Sequence, residues 1–227
     1  MEVWETAKIG LITIGQSPRN DVTPMLKAML GQAVQLVEKG VLDGLAKDEV
    51  DRLAPRTGDY VLVTRLRDGT SVKVARRPIV PKIQRCIEEL EGLEVDLNVL
   101  LCTGEFPGLR VKKPLIMPEV LITSLVRCVR GGKIGVVVPE KEQISGAIRR
   151  WKRVGVSVVV ASANPYSDTE ALKKAALLFA EENVDLTVLD CIGFALEAKE
   201  IFRRLTGKPA ILPQALLGCV LKSLVGP

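Results

Sequence analysis

Histidine does not occur anywhere in the 227-residue sequence. Any general acid or base must therefore be Cys, Asp, Glu, Lys or Tyr. The five cysteines, at positions 86, 102, 128, 191 and 219, form no Cys-x-x-Cys pair, so the usual ligand spacing of a zinc site is missing as well. No metal or organic cofactor is expected. Aromatic residues make up only 4% of the chain, which leaves Val, Leu, Ile and Ala to build the core. That mix suits buried parallel strands covered by helices. No apolar run approaches the ~20 residues of a membrane span. The opening residues, Met1 to Glu5, lack the basic and apolar regions of a secretory leader. The expected compartment is the cytoplasm, where cysteines stay as free thiols, and no membrane partner is expected.

What is present begins with a formal net charge of +5. Its densest run, Arg149 to Arg153, sits at the end of an expected helix and contains one aromatic, Trp151. That is a poor nucleic-acid footprint. The expected partner is a small anion, and a homodimer is compatible with the composition.

Apolar runs of strand length alternate with helix-period segments along the whole chain. A first strand over Lys8–Ile14 ends at Gly15 to Arg19, and a helix is expected over Val22–Leu30 with Asp21 as its cap. The segment from Tyr60 to Val74 reads as a β-hairpin in which Asp68-Gly69 supplies a two-residue turn. Within it, alternation places Arg65 and Arg67 on one strand face. A helix over Pro81–Leu90 then precedes a strand over Leu97–Leu101 that delivers Cys102.

From there the pattern restarts. Lys8-Ile9-Gly10 recurs as Lys133-Ile134-Gly135, and Leu97 to Gly104 recurs as Leu186 to Gly193. Lys113-Pro114 recurs as Lys208-Pro209. Three matches in the same order imply an α/β fold of two pseudo-symmetric three-layer lobes with mainly parallel sheets, the hairpin being an insertion in the first lobe. The expected lobes are residues 1–117 with a C-terminal helix over 213–227, and residues 118–212, with Gly131-Gly132 as the natural linker. The rival arrangement is one doubly wound sheet.

In open α/β sheets ligands bind beyond the carboxyl ends of the strands. Cys102 and Cys191 each lie at such an end, each with a glycine two positions on, Gly104 and Gly193. Those glycines let backbone N–H groups approach an anion. A helix starting directly after either cysteine would lower its thiol pKa from about 8.5. Cys86, Cys128 and Cys219 fall inside apolar or amphipathic helices and read as packing. The loop Gln16 to Arg19 belongs to the same rim, where Ser17 could bind a carboxylate and Arg19 could pair with it through two hydrogen bonds; the alternative is a capping turn. Arg65, Thr103, Glu105 and Ile192 join this set as candidate binding residues, as does Tyr166, which ends another strand in Asn164 to Ser167. Asp190 would point away from Cys191 in a regular strand and is not expected to be its base.

Four strings, Ile14 to Asp21, Val63 to Thr70, Leu100 to Pro107 and Leu189 to Phe194, resemble the AroM family, a bacterial and archaeal group, over nearly the whole chain. The layout is also similar to the aspartate/glutamate racemase superfamily, which includes hydantoin racemases, maleate isomerases and arylmalonate decarboxylases. That likeness implies a cofactor-independent racemase or isomerase with Cys102 and Cys191 at two catalytic positions facing a shared cleft. It also implies that the first-strand loop, Gln16, Ser17 and Arg19, takes the substrate carboxylate. The cysteine contexts differ from the superfamily's usual Cys-Asn-Thr and Gly-Cys-Thr, reading Cys102-Thr-Gly and Asp190-Cys-Ile. The alternative is a non-catalytic metabolite-binding or regulatory protein of the same fold, linked through the family name to aromatic amino-acid metabolism.

Overall fold

The computed structural model describes residues 7–32, 34–129, 132–166 and 169–225. The opening segment Met1 to Glu5, Gly131 and Ser167 lie outside the described residues. The chain divides into two compact units, Met1–Pro118 with Leu217–Pro227, and Glu119–Leu216.

The first unit is built on a four-stranded parallel sheet of β1 (Ala7–Thr13), β2 (Val34–Gly40), β5 (Leu97–Leu101) and β6 (Leu115–Ile116), in the order β2-β1-β5-β6. Its helices include α1 (Thr23–Leu30), α2 (Lys47–Asp51) and α3 (Arg76–Gly92). The second unit carries β7 (Lys133–Val138), β8 (Ser157–Ser162), β9 (Leu186–Leu189) and β10 (Ala210–Ile211), also parallel, in the order β8-β7-β9-β10. Around them lie α4 (Pro118–Cys128), α5 (Ile144–Val154), α6 (Thr169–Glu181), α7 (Leu196–Thr206) and the start of α8 (Pro213–Val225). Two sheets with one strand order replace the single doubly wound sheet. The boundary after Pro118 puts α4 in the second unit, so Gly132 is a turn inside that unit, at φ +91°, and does not link the two.

Alternation along β7 explains the layers of the second unit. Ile134, Val136 and Val138 pack with Ile122 and Val126 of α4 and Trp151 of α5. On the opposite face, a Cβ on Gly135 would lie 2.5 Å from the Phe179 ring of α6. Glycine at that position lets the helix close onto the strand.

The repeat extends to individual hydrogen bonds. The Asp96 N–H donates to Lys8 O at 2.8 Å, and the Lys8 N–H returns to the Asp96 carboxylate at 2.7 Å. Asp185 and Lys133 repeat the exchange at 2.8 and 2.9 Å. Asn98 N–H reaches Pro114 O as Thr187 N–H reaches Pro209 O. Glu94 and Asn183, the turn residues before β5 and β9, both take φ above +50°.

Three local expectations are corrected. The hairpin, β3 (Val61–Arg65) with β4 (Ser71–Ala75), is antiparallel as read, but its loop is longer by one residue. Leu66 pairs with Thr70, Gly69 N–H bonds Leu66 O, and Gly69 takes φ +92° while Asp68 does not take a positive φ. This is the three-residue loop with one left-handed glycine. Arg67 therefore sits in the turn, not on a strand face with Arg65. Finally, α3 starts five residues before Pro81, because Pro78 falls in the first turn, where a missing N–H costs no intrahelical bond.

Asp21 is not the cap of α1. Val22 holds the N-cap position without a side-chain bond, and the Asp21 carboxylate accepts Arg19 Nε (2.8 Å) and Nη2 (2.7 Å) instead. Burial pushes the Asp21 carboxyl up, but the Arg19 hydrogen bonds and charge outweigh it, and its pKa falls below 3.8. A depressed folded-state value contributes stability above the unfolded-state pKa and loses it as pH falls through the folded one. In urea titrations Asp21→Asn is therefore expected to be less stable than wild type at pH 7, with the gap closing below pH 3.8. A gap independent of pH would show that the pair contributes nothing through its charge.

Among the described residues no helix is long and apolar enough to cross a membrane.

Candidate active site

Two strand ends carry the same construction. At the end of β5 the chain turns at once: Cys102 N–H donates to Leu100 O at 2.7 Å, and Gly104 N–H donates to Cys102 Sγ at 3.3 Å. At the end of β9, Cys191 N–H donates to Leu189 O at 2.8 Å and Gly193 N–H to Cys191 Sγ at 3.5 Å. Each sulfur thus receives a backbone donor from the glycine two residues on. This differs from the helix-terminus arrangement considered from sequence, since α7 starts only at Leu196 and no helix follows Cys102 before Pro118. Both cysteines are nearly buried, at 8% and 6% exposure, as are Thr103 and Ile192.

A side chain at either glycine would press on a neighbouring side chain. A Cβ on Gly193 would stand 2.1 Å from Tyr166 Oη, so the phenol lies directly on the turn that follows Cys191. A Cβ on Gly104 would meet Leu62 Cδ2 at 2.8 Å and Phe106 at 3.2 Å. Tyr166 is itself set by its backbone N–H bonding the Asn164 side chain, which in turn bonds Glu140.

Sequence reasoning missed three residues here. Tyr60 Oη accepts the Glu105 N–H at 3.3 Å. Arg76 Nη1 donates to Glu105 O at 3.0 Å, with the guanidinium 4.3 Å from the Tyr60 ring centre. The two tyrosines of the chain therefore attend the two cysteine turns, one in each unit. Gln214, nearly fully buried, donates to both Ile192 O (2.8 Å) and Phe194 O (3.0 Å) and so pins the turn after Cys191. The one available signal was compositional, since a chain with so few aromatics places both tyrosines near strand ends.

The first-strand loop is arranged differently from the expectation. Gln16 Nε2 donates to Leu42 O, and its Oε1 accepts the Arg67 N–H. Ser17 binds Asp43 with both N–H (2.8 Å) and Oγ (2.6 Å). Arg19, 2% exposed, closes its fork on Asp21 and gives Nη1 to Thr13 Oγ1 at 2.9 Å. The bidentate partner of Arg19 is thus Asp21. Arg65 Nε donates to Gly69 O, and Arg67 Nε donates to Ser17 O, tying the hairpin to this loop. Each of these side chains has at least one hydrogen-bond partner within the protein.

Asp190 lies just beyond β9, and its carboxylate is engaged by α5. It is buried against Arg150, with which it forms an ion pair, and accepts Trp151 Nε1 at 3.2 Å. The basic run Arg149 to Arg153 is accordingly interrupted by two buried residues, Arg150 and Trp151.

Cys86 packs in the core of the first unit, and burial pushes its thiol up to about 11. Cys128 and Cys219 are exposed, which corrects their reading as packing residues. In a Cys102→Ser/Cys191→Ser background, thiol titration at pH 8 is expected to show two fast groups and a third only after unfolding. Three fast groups would contradict the burial of Cys86. Among the described residues no group of three or more cysteine and carboxylate side chains is placed to hold a metal ion.

The AroM protein family model matches residues 9–225. The chain belongs to the AroM family. No curated protein matches its sequence. Its fold is similar to that of several solved structures. A double variant of arylmalonate decarboxylase in liganded form aligns with TM-score 0.66 at 13% identity, over 97% of this chain and 93% of that one. Maleate isomerase from Pseudomonas putida S16 aligns at 0.61 and 14%, over 96% and 92%. Glutamate racemase from Aquifex pyrophilus aligns at 0.59 and 18%, over 96% and 84%. This AroM family member therefore has the aspartate/glutamate racemase-like fold.

Proposed function

We propose that this AroM family member is a cofactor-independent racemase- or isomerase-type enzyme acting on a small carboxylate, with Cys102 and Cys191 as its acid–base pair. The observation that carries the reading is the identical turn at both cysteines, with a glycine N–H donating to each sulfur. A single cysteine at a strand end is ordinary packing; two, built alike at equivalent places in a repeated topology, answer a chemical requirement. Proton transfer at one carbon needs two groups of similar character, one for each face. Racemases, an isomerase and a decarboxylase share the fold, which supports the same class.

In this mechanism one thiolate removes the proton on the carbon next to a carboxylate or carbonyl, and the electron pair of the C–H bond passes into an enolate-like system. The opposing thiol then gives its proton to the other face, becoming the thiolate as the first becomes the thiol. No net oxidation occurs and no co-reactant is needed. Backbone N–H groups of the turns after the cysteines stabilise the developing oxyanion, commonly the largest contribution to such a step. Gln16, Ser17, Arg19, Arg65, Thr103 and Glu105 serve it from the first unit, and Tyr166 and Ile192 from the second.

The second reading, a metabolite-binding or regulatory protein, draws on one observation: the polar side chains of Gln16, Ser17 and Arg19 are already bonded within the protein. The test is incorporation of solvent deuterium into aspartate, glutamate, maleate, phenylmalonate and allantoin, followed by NMR. Exchange by wild type that disappears in both cysteine variants supports the enzyme. Exchange that persists in both, or tight binding of a probe with no exchange, removes it.

A further inference from the structure

We propose that Arg76 is the anion-recognition residue of the Cys102 turn and that it selects a carboxylate ligand over a neutral ring. The proposal rests on the cysteine-centred site above and names its substrate class.

Arg76 is the first residue of α3, and its backbone N–H bonds Tyr60 O at 3.0 Å. Its side chain is half-buried. One guanidinium donor is committed, Nη1 to Glu105 O at 3.0 Å. The plane is further held over Tyr60, whose hydroxyl accepts the Glu105 N–H at 3.3 Å. Tyr60, Arg76 and the Glu105 backbone thus close a ring of contacts three residues beyond Cys102. An arginine has five N–H donors in a rigid fork, and among the described residues Nε and Nη2 of Arg76 have no partner. No carboxylate there pairs with it.

The contrast with neighbouring arginines is what gives this weight. Arg19 is neutralised by Asp21, and Arg67 bonds Ser17 O with Asp43 3.6 Å away. Arg76 is instead held by a carbonyl and an aromatic face, with no counter-charge among the described residues. Stacking on a ring and a single carbonyl bond fix the position of the charge but leave it uncompensated. A carboxylate meeting the Nε–Nη2 edge would complete it through two parallel hydrogen bonds. A neutral cyclic amide offers no such charge, and lysine would offer no such fork.

The experiment measures binding of maleate, L-aspartate and allantoin to wild type, Arg76→Lys and Arg76→Met by titration calorimetry, each in the intact chain and again in the Cys102→Ser/Cys191→Ser background. Arg77→Met, the same change at the exposed neighbouring residue, serves as the folding control. The proposal expects at least one of the two acids to bind wild type and Arg77→Met with affinities within threefold of each other. It expects Arg76→Met to weaken that acid at least tenfold, Arg76→Lys to recover part of the loss, and allantoin to respond less than threefold. Retained acid affinity in Arg76→Met, equal loss for allantoin, or no binding of either acid to wild type overturns it. An Arg76 effect that persists without the cysteines, alongside failed deuterium exchange, would leave recognition standing and remove only the catalytic reading. Exchange by wild type with unchanged KM in Arg76→Met would do the reverse.

Discussion

Cys102→Ser and Cys191→Ser are each expected to lower solvent-deuterium exchange by about 10²–10⁴-fold, the range general acid–base groups supply, while leaving the thermal midpoint nearly unchanged. Serine retains the size and a hydrogen-bonding atom for the glycine N–H, so the turn at either strand end persists. It loses the acidity, because a hydroxyl does not ionise near neutrality as a thiol can. The diagnostic is that each single variant fails as completely as the double. Two groups serving one carbon are a series, and removing either stops the cycle. Two independent sites would leave half the rate after each substitution, and that result would refute the paired mechanism. Measuring proton release at both faces, by following exchange from each enantiomer of a chiral substrate, adds direction. Equal loss from both enantiomers in each variant is the series outcome, whereas exchange kept from one enantiomer in Cys102→Ser and from the other in Cys191→Ser would show each thiol working one face alone.

The second large effect concerns folding. Asp190→Ala is expected to destabilise the protein by about 3–5 kcal/mol, the usual cost of removing one partner of a buried ion pair. Asp190 and Arg150 are both buried, and Trp151, without solvent exposure, donates its indole N–H to the same carboxylate. Truncation removes the Asp190 charge from beside a buried guanidinium and takes away the acceptor of the indole N–H. Asp190→Asn keeps an oxygen for Trp151 and should lose less. Replacing both members, Asp190→Leu with Arg150→Met, should recover much of the stability, since apolar groups of similar volume often substitute for a buried pair at little cost. Urea unfolding monitored by circular dichroism reads all three. A loss under 1 kcal/mol for Asp190→Ala would mean that water reaches Arg150 when the carboxylate is gone. Because Asp190 precedes Cys191 in the chain, the same variants also ask whether the buried pair holds that turn. A variant that folds yet loses deuterium exchange would give Asp190 a positioning role through the backbone.

Strand ends were legible because alternation and apolar runs report burial locally. Leu97–Leu101 was read from sequence with its observed bounds, and the shift to Cys102 followed. The repeat was legible for the same reason: each half needs the same buried strand, the same tight turn and the same proline after a lysine. What escaped were contacts made across long stretches of chain. Tyr60 and Glu105 are 45 residues apart, and Arg76 and Glu105 29 apart. No periodicity within either segment registers such a meeting. Arg19 shows the opposite failure. Its chemistry was read correctly as a fork for a carboxylate, but the carboxylate is Asp21, two positions on, which sequence assigned to capping α1. Capping and pairing use the same oxygen atoms, and only the direction of the side chain separates them. Asp68-Gly69 shows how close a turn signal can come: the glycine conformation was foreseen, but one further residue joined the loop.

By itself the sequence determined that this protein is an α/β chain of repeated strand topology with a cysteine and a glycine at two equivalent strand ends, because side-chain alternation and apolar length are local properties. Only the tertiary structure decided which polar groups are already spent and which remain available. Arg19, Ser17 and Asp190 proved to be bonded within the protein, whereas Arg76 stands against Tyr60 with no carboxylate partner among the described residues. Whether a charge is neutralised depends on what folding brings within hydrogen-bond distance from elsewhere in the chain, and residue order does not encode that locally.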